Sequence, residues 1–293
     1  TESNADKLVM WEFTDEDDPD LGYTFNQPIL RDDQSPESGQ IMKMANGKWA
    51  VIFGNGYNNT EADDNGGCID DPDVKPCTVS TTGHAVLYIL FLEGRGADGK
   101  WTAGTDFIKL DTGAGTIAVP NGLATPRPID SDGDEDVDYI YAGDLQGNLW
   151  KFDVSGSATA DWKIALDEKP LFTAKDEVDN SQPITSAPTV TPHPYGGFMV
   201  SFGTGKYLEV NDVDSAVIPF TKQTLYGLWD KPGDQARSIK ADRSTLVEQT
   251  IIQTTAISGS NYRIASQEEI IWEATATKEA KDGWHMNLPD SKT

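Results

Sequence analysis

Five aspartates and one glutamate crowd into the nine residues from Asp130 to Asp138, which read Asp-Ser-Asp-Gly-Asp-Glu-Asp-Val-Asp. Carboxylates about 5 Å apart repel by about 3 kcal/mol per pair at an effective dielectric of about 20, so a compact loop of this composition calls for a counterion. Calcium suits it. The ion takes about six to eight oxygens at about 2.3 to 2.6 Å in a tolerant geometry, and alternate residues of a tight loop can deliver them. Asp130, Asp132 and Asp134 hold loop positions 1, 3 and 5, and Gly133 permits the turn that lets them converge. Asp136 at position 7 would offer its backbone carbonyl, and Asp138 at position 9 would close the shell. Magnesium, with its strict octahedron and retained waters, fits less well. The loop is not an EF-hand, because glycine stands at position 4 instead of 6 and Tyr141 occupies position 12. A solvated acidic loop without an ion is the plain alternative.

The elements that must position this loop are strands. Val137, Tyr139 and Tyr141 alternate with Asp138, Ile140 and Ala142, and Asp144-Leu145-Gln146-Gly147-Asn148 then reads as a hairpin turn. Elsewhere the apolar runs are short, β-branched or aromatic, and bounded by Gly, Asn, Asp or Pro. One pattern recurs as Met10–Phe13, Leu87–Leu90, Leu149–Phe152 and Leu225–Leu228. A second, an apolar strand ending in glycine, precedes three of these copies at Val51–Gly54, Tyr139–Gly143 and Met199–Gly203. Such recurrence predicts an all-β fold, a β-propeller or another β-array with long insertions between strands, complete or as a fragment. Residues 1–293 are read as one propeller-like domain, with 57–84 as a cysteine-containing insertion loop. Glu268 to Lys281 is the best helical candidate, although Ile270-Ile271-Trp272 suits a strand equally.

The chain has 48 acidic and 23 basic residues, a formal charge of -25. Its surface should repel nucleic acid and favour cations and basic partners. The longest apolar run, Ala85–Leu92, is too short to span a membrane. The chain begins at Thr1 with no visible leader, which reads as a mature product or a fragment. A bridge between Cys68 and Cys77 would close a loop of about ten residues, contribute about 2.5 to 3 kcal/mol and imply an oxidising compartment. Free thiols are the alternative, and zinc would need further ligands. The run Asp15–Asp20 reads as a solvated loop, and Asp63, Asp64, Asp70, Asp71 and Asp73 as a weaker second ion site. Trp11, Trp49, Trp150 and Trp229 read as core aromatics at blade interfaces, whereas Trp101 and Trp162, in polar surroundings, are candidates for glycan stacking. His84, His193 and His285 follow no catalytic motif, there is no GxSxG, and Gly113-Ala114-Gly115 lacks the rest of a phosphate loop. The chain is read as a binding protein rather than an enzyme.

The run from Asp130 through Tyr139-Ile140-Tyr141-Ala142-Gly143-Asp144-Leu145-Gln146-Gly147-Asn148-Leu149-Trp150-Lys151-Phe152-Asp153 resembles the PilY/PilC family of type IV pilus assembly and tip adhesin proteins. Gly47–Tyr57, Pro183–Pro188 and Phe202–Leu208 resemble further stretches of that family's C-terminal domain, in order. The resemblance implies a modified, quinoprotein-like β-propeller of seven blades, whose calcium loop uses side chains at positions 1, 3, 5 and 9 and the carbonyl at position 7. These fall on Asp130, Asp132, Asp134, Asp138 and Asp136. It further implies Ca2+ as the cofactor, a place outside the cell at the surface, pilus tip or outer membrane, and support of pilus extension, twitching motility and adhesion. Pilin or minor pilins and a host or surface receptor are the implied partners. Set against that family the sequence reads as shorter than the full propeller and without the N-terminal adhesive region, as a fragment would, and carries the Cys68/Cys77 loop as an insertion without an assigned role. Two other functions compete: a quinoprotein dehydrogenase, which would usually pair adjacent cysteines against its cofactor, and a stand-alone secreted lectin.

Overall fold

The computed structural model describes residues 9–27, 41–61, 79–209, 212, 222–234, 242–257 and 260–289. Cys68 and Cys77, with Asp63, Asp64, Asp70, Asp71 and Asp73, lie outside them.

Strands dominate and form three successive sheets. The first is β1 (Ile41–Lys43), β2 (Trp49–Gly54), β3 (His84–Phe91) and β4 (Phe107–Gly115), in sequence order. The second is β5 (Arg127–Ile129), β6 (Tyr139–Gly143), β7 (Asn148–Asp153) and β8 (Lys163–Ile164), with β9 (Phe172–Thr173) also on β7. The third contains β10 (Thr189–Pro192), β11 (Phe198–Gly203), β12 (Thr224–Asp230) and β13 (Val247–Gln249), with β16 (Gly283–Asn287) between the last two. All pairings are antiparallel except β13 with β16. A separate ribbon joins β14 (Ile251–Ile257) to β15 (Ser260–Ala265). The fold is all-β with propeller-type blades, and among the described residues the sheets do not close into a ring.

Period-two alternation explains how the blades stack. On β6, Ile140 and Ala142 enter the core shared with the first sheet, while Tyr139 and Tyr141 turn to the core shared with the third. On β3, Ala85, Leu87, Ile89 and Phe91 face the second sheet, and Val86, Tyr88 and Leu90 face the opposite way. Both faces are buried, so the sequence there is a continuous apolar run.

The two repeated patterns fall on equivalent strands: β2, β6 and β11 end in the repeated glycine, and β3, β7 and β12 carry the aromatic. A Cβ on Gly54 would run into the Leu123 carbonyl, and one on Gly143 into Ile184. The chain leaving the first two blades crosses there too closely for a side chain, whereas a Cβ on Gly203 would meet only the Leu225 side chain. Met10–Phe13 departs from the pattern. It is not a strand but part of a strap over the outer face of the first blade, where Trp11 and Phe13 pack against Trp101. Glu268–Lys281 is neither helix nor strand, and Trp272 leaves it to pack edge-on against His193. Among the described residues no helix is long and apolar enough to cross a membrane.

Three tryptophan expectations are corrected. Trp49 is 51% exposed rather than an interface filler, because it sits on the outward face of β2. Trp101 and Trp162 are buried, with their indole N–H groups donating to the carbonyls of Glu12 at 2.8 Å and Gly156 at 2.7 Å. The carbonyl for Trp101 comes from the distant strap and that for Trp162 from the turn just before it, and neither ring is available to a glycan.

Candidate metal centre

The hairpin of β5 and β6 grows directly into the loop 130–138. Its register sets Ile129 opposite Tyr139, and Asp138 N–H donates to the Ile129 carbonyl at 3.0 Å. The next backbone contact leaves the blade: Val137 N–H donates to the Lys43 carbonyl at 3.0 Å, forming a parallel bridge between Val137 and Met44 of the first sheet. The loop therefore stands at a seam between two blades.

Within the loop, aspartate side chains organise the backbone. One Asp130 oxygen accepts the N–H groups of Gly133 at 2.7 Å and Asp132 at 3.2 Å, and the other accepts Glu135 N–H at 2.9 Å. Gly133 has φ +87° and Glu135 φ +72°, so the chain passes through the left-handed region at both residues. Asp138 is the buried member, its Oδ2 accepting from the N–H and hydroxyl of Ser131 at 2.7 and 2.6 Å. Asp130, Asp132 and Asp138 each offer an oxygen, and these lie within 4.8 Å of one another. Asp134 does not join that triplet and accepts Asp136 N–H at 2.9 Å. The Asp136 carboxylate turns away, 2.6 Å from Lys43 Nζ, which leaves its carbonyl as the group available to the loop.

The electrostatics follow from this packing. Asp134 raises the carboxyl of Asp132 above its ordinary value, helped by burial and by Asp138 and Asp130. Burial pushes Asp130 upward too, but the backbone N–H groups of Gly133, Glu135 and Asp132 outweigh it and hold that carboxyl low. The Lys43 ammonium is raised by its hydrogen bond to Asp136. This cation neutralises the side of the loop away from the triplet. The donor set thus suits a hard cation: clustered carboxylates, mutual repulsion at Asp132, and a preformed turn.

Two supporting residues carry no signal in the local spacing. Lys43 belongs to another blade, and Ser131 is recognisable only once Asp138 is seen to fold back on it. Behind the loop, Asp144 is fully buried in the β6–β7 turn. It accepts hydrogen bonds from the backbone of Gln146 and Asn148 and from the side chains of Asn121, Asn148 and Trp150, at 2.8 to 2.9 Å. Burial still raises its carboxyl.

The run Asp15–Asp20, expected to be solvated, is corrected as well. Asp18 and Asp20 are 7% and 6% exposed, with Lys109 Nζ 2.7 Å from the first and 2.6 Å from the second. The Tyr88 hydroxyl donates to Asp18 at 2.8 Å, and Ser80 and Thr82 donate to Asp20.

Comparison with known proteins agrees with this architecture. Residues 2–259 match the family model described as the PilY1 beta-propeller domain. Type IV pilus biogenesis factor PilY1 of Pseudomonas aeruginosa is 33% identical over 308 residues, covering 97% of this chain and 23% of the relative. A PilY1 homolog of Xylella fastidiosa is 33% identical over 285 residues, covering 96% of this chain and 16% of the relative. The chain thus spans less than a quarter of the length of these curated relatives. The crystal structure of the Pseudomonas aeruginosa PilY1 C-terminal domain superposes with a TM-score of 0.71 at 30% identity, over 97% of this chain and 54% of that one. With the blade repeat, the glycine crossings and the acidic hairpin loop on the same scaffold, the chain belongs to the PilY1 β-propeller domain family.

Proposed function

We propose that this domain is a calcium-binding module of a type IV pilus biogenesis protein, acting at the cell surface or pilus tip to support pilus extension, twitching motility and adhesion. The observation that carries the reading is the convergence of Asp130, Asp132 and Asp138 on one point at a blade seam. Asp134 and the Asp136 carbonyl complete the set as the loop tightens. The relatives' role in pilus biogenesis supplies the setting, in which pilins or minor pilins and a host or surface receptor are the partners. The loop is rooted on a sheet whose pairing does not depend on the aspartates. An ion there reorders a local surface without dismantling the blades.

Titration calorimetry tests the metal. One site is expected, with an affinity between the sensor and extracellular ranges, about micromolar to millimolar. Asp132→Ala should abolish the heat of binding, and unchanged binding would remove the assignment. The cellular arm replaces Asp130 by Ala in the full-length protein. Surface pili and twitching should be lost, and normal piliation would separate calcium binding from pilus function.

A further inference from the structure

The ribbon of β14 and β15 is built unlike the rest of the molecule. It has only two strands, and neither outer edge pairs with another strand among the described residues. It is rooted firmly, since Thr250 N–H donates to Ser266 Oγ at 2.9 Å and Ser266 N–H returns to the Thr250 carbonyl at 2.7 Å. Beyond that clasp it projects into solvent, with Ile252 65%, Tyr262 51% and Ile264 45% exposed. Folded proteins protect such edges with charge, proline or bulges. Here β14 reads Ile-Ile-Gln-Thr-Thr-Ala-Ile, without a charge, glycine or proline, in a chain of net charge -25. Its one protection is a register irregularity between Ile251 and Gln253.

We infer that the free edge of β14 is a self-association site, pairing antiparallel with β14 of a second copy about a two-fold axis at Thr254. The sequence complements itself in that register: Ile251 stands opposite Ile257, Ile252 opposite Ala256, Gln253 opposite Thr255, and Thr254 opposite its own image. Apolar meets apolar and polar meets polar, the pairing that stabilises cross-strand neighbours. The other edge is blunted. β15 carries Arg263, the one charged residue between 251 and 265, and self-pairing there would bring like charges together. One permissive and one guarded edge give a closed four-stranded dimer instead of an open fibre. A single strand edge buries far less than the about 1,200 to 2,000 Å² of a standard interface, so the dimer is weak. The two acidic bodies also repel, over a Debye length of about 10 Å at 0.1 M salt, so association strengthens as salt rises.

Sedimentation velocity on the 293-residue chain, at about 20 to 500 µM and at low and about 0.5 M salt, reads this directly. Concentration-dependent dimer that increases with salt is expected. Thr254→Lys made together with Arg263→Ala, which removes the like charge that Lys would meet across its own ribbon, sets two ammonium groups face to face and should weaken the dimer at least ten-fold with unchanged circular dichroism. Arg263→Ala alone should leave it intact. A monomer at every concentration and salt, equal dimerisation by the double variant, or open-ended aggregation without a dimer plateau would each overturn the inference.

Discussion

The two acidic runs, Asp15–Asp20 and Asp130–Asp138, look alike in composition and have opposite fates. The first turns inward: Asp18 and Asp20 are buried around Lys109, and the strap they belong to is sealed onto the outer face of the first blade. The second faces solvent and keeps its carboxylates together, with its one lysine engaged by Asp136 outside the triplet. The protein supplies the counter-charge itself in one case and leaves room for an ion in the other. Acidic runs are therefore told apart by where the nearest cation comes from, not by how many carboxylates they hold.

Removing the internal cation should give the largest effect. Lys109→Met leaves two carboxylates uncompensated in a buried site, and denaturant unfolding should show a loss of about 3 to 5 kcal/mol. A change near zero would mean that the strap is held by Trp11 and Phe13 alone. The same substitution should leave calcium binding intact, since the two runs lie on different blades. In the other loop, Asp130→Ala removes the acceptor for three backbone N–H groups but none of the sheet pairing. Near-normal circular dichroism and an unfolding midpoint close to that of the parent in chelator are expected. Global unfolding of that variant would turn the loop into a fold-stabilising element.

Acid should separate the runs more finely. Burial would raise the Asp20 carboxyl, but hydrogen bonds from Lys109 and Ser80 prevail and hold it below its ordinary value of 3.8. A carboxyl depressed on folding contributes stability in full above its unfolded value, and loses it as pH falls through the folded one. The strap should thus stay closed at neutral pH and loosen only in strong acid. Trp11 and Trp101, whose ring centroids are 5.1 Å apart, report its release by fluorescence. Loosening near neutrality would contradict the Lys109 clamp. The smallest effect is expected of Asp136→Ala: calorimetry should find calcium affinity within a few-fold of the parent, because the backbone carbonyl survives truncation. Complete loss would show that the carboxylate is itself a ligand.

Much of this is legible in the sequence, for a local reason. Asp130, Asp132 and Gly133 announce a turn within a few residues, and the alternation from Val137 to Ala142 announces the strand behind it. The glycine-terminated strands are visible because the first two blades repeat the same close crossing and the third keeps the glycine. What the sequence hid is contact between distant segments. Nothing near Asp18 indicates that Lys109 will arrive across a sheet, so the run read as solvated. The polar neighbours of Trp101 and Trp162 suggested exposure, whereas the indoles go inward and take backbone carbonyls as partners. Met10–Phe13 has the strand pattern without a strand partner, and its aromatics serve as a lid. Asp134 fits the alternation, yet the turn directs its carboxylate to Asp136 N–H.

The placement of Asp138 has a consequence for the order of folding. Its backbone is paired inside the β5–β6–β7 meander, through Ile129 and Val154, and its side chain holds Ser131 across the loop. Every one of these partners is close in sequence, so closing this part of the chain costs little entropy, and hairpins of this kind form in about microseconds. The contact of Val137 with Lys43 joins distant parts of the chain and must wait for the first blade. Loop entropy thus predicts that the aspartates gather while the seam beside them is still open, and a metal captured then would be in place before the blades dock. Refolding in calcium should accordingly leave the docking phase unchanged in stopped-flow traces followed through Trp150 and Trp162, which become buried against the first blade.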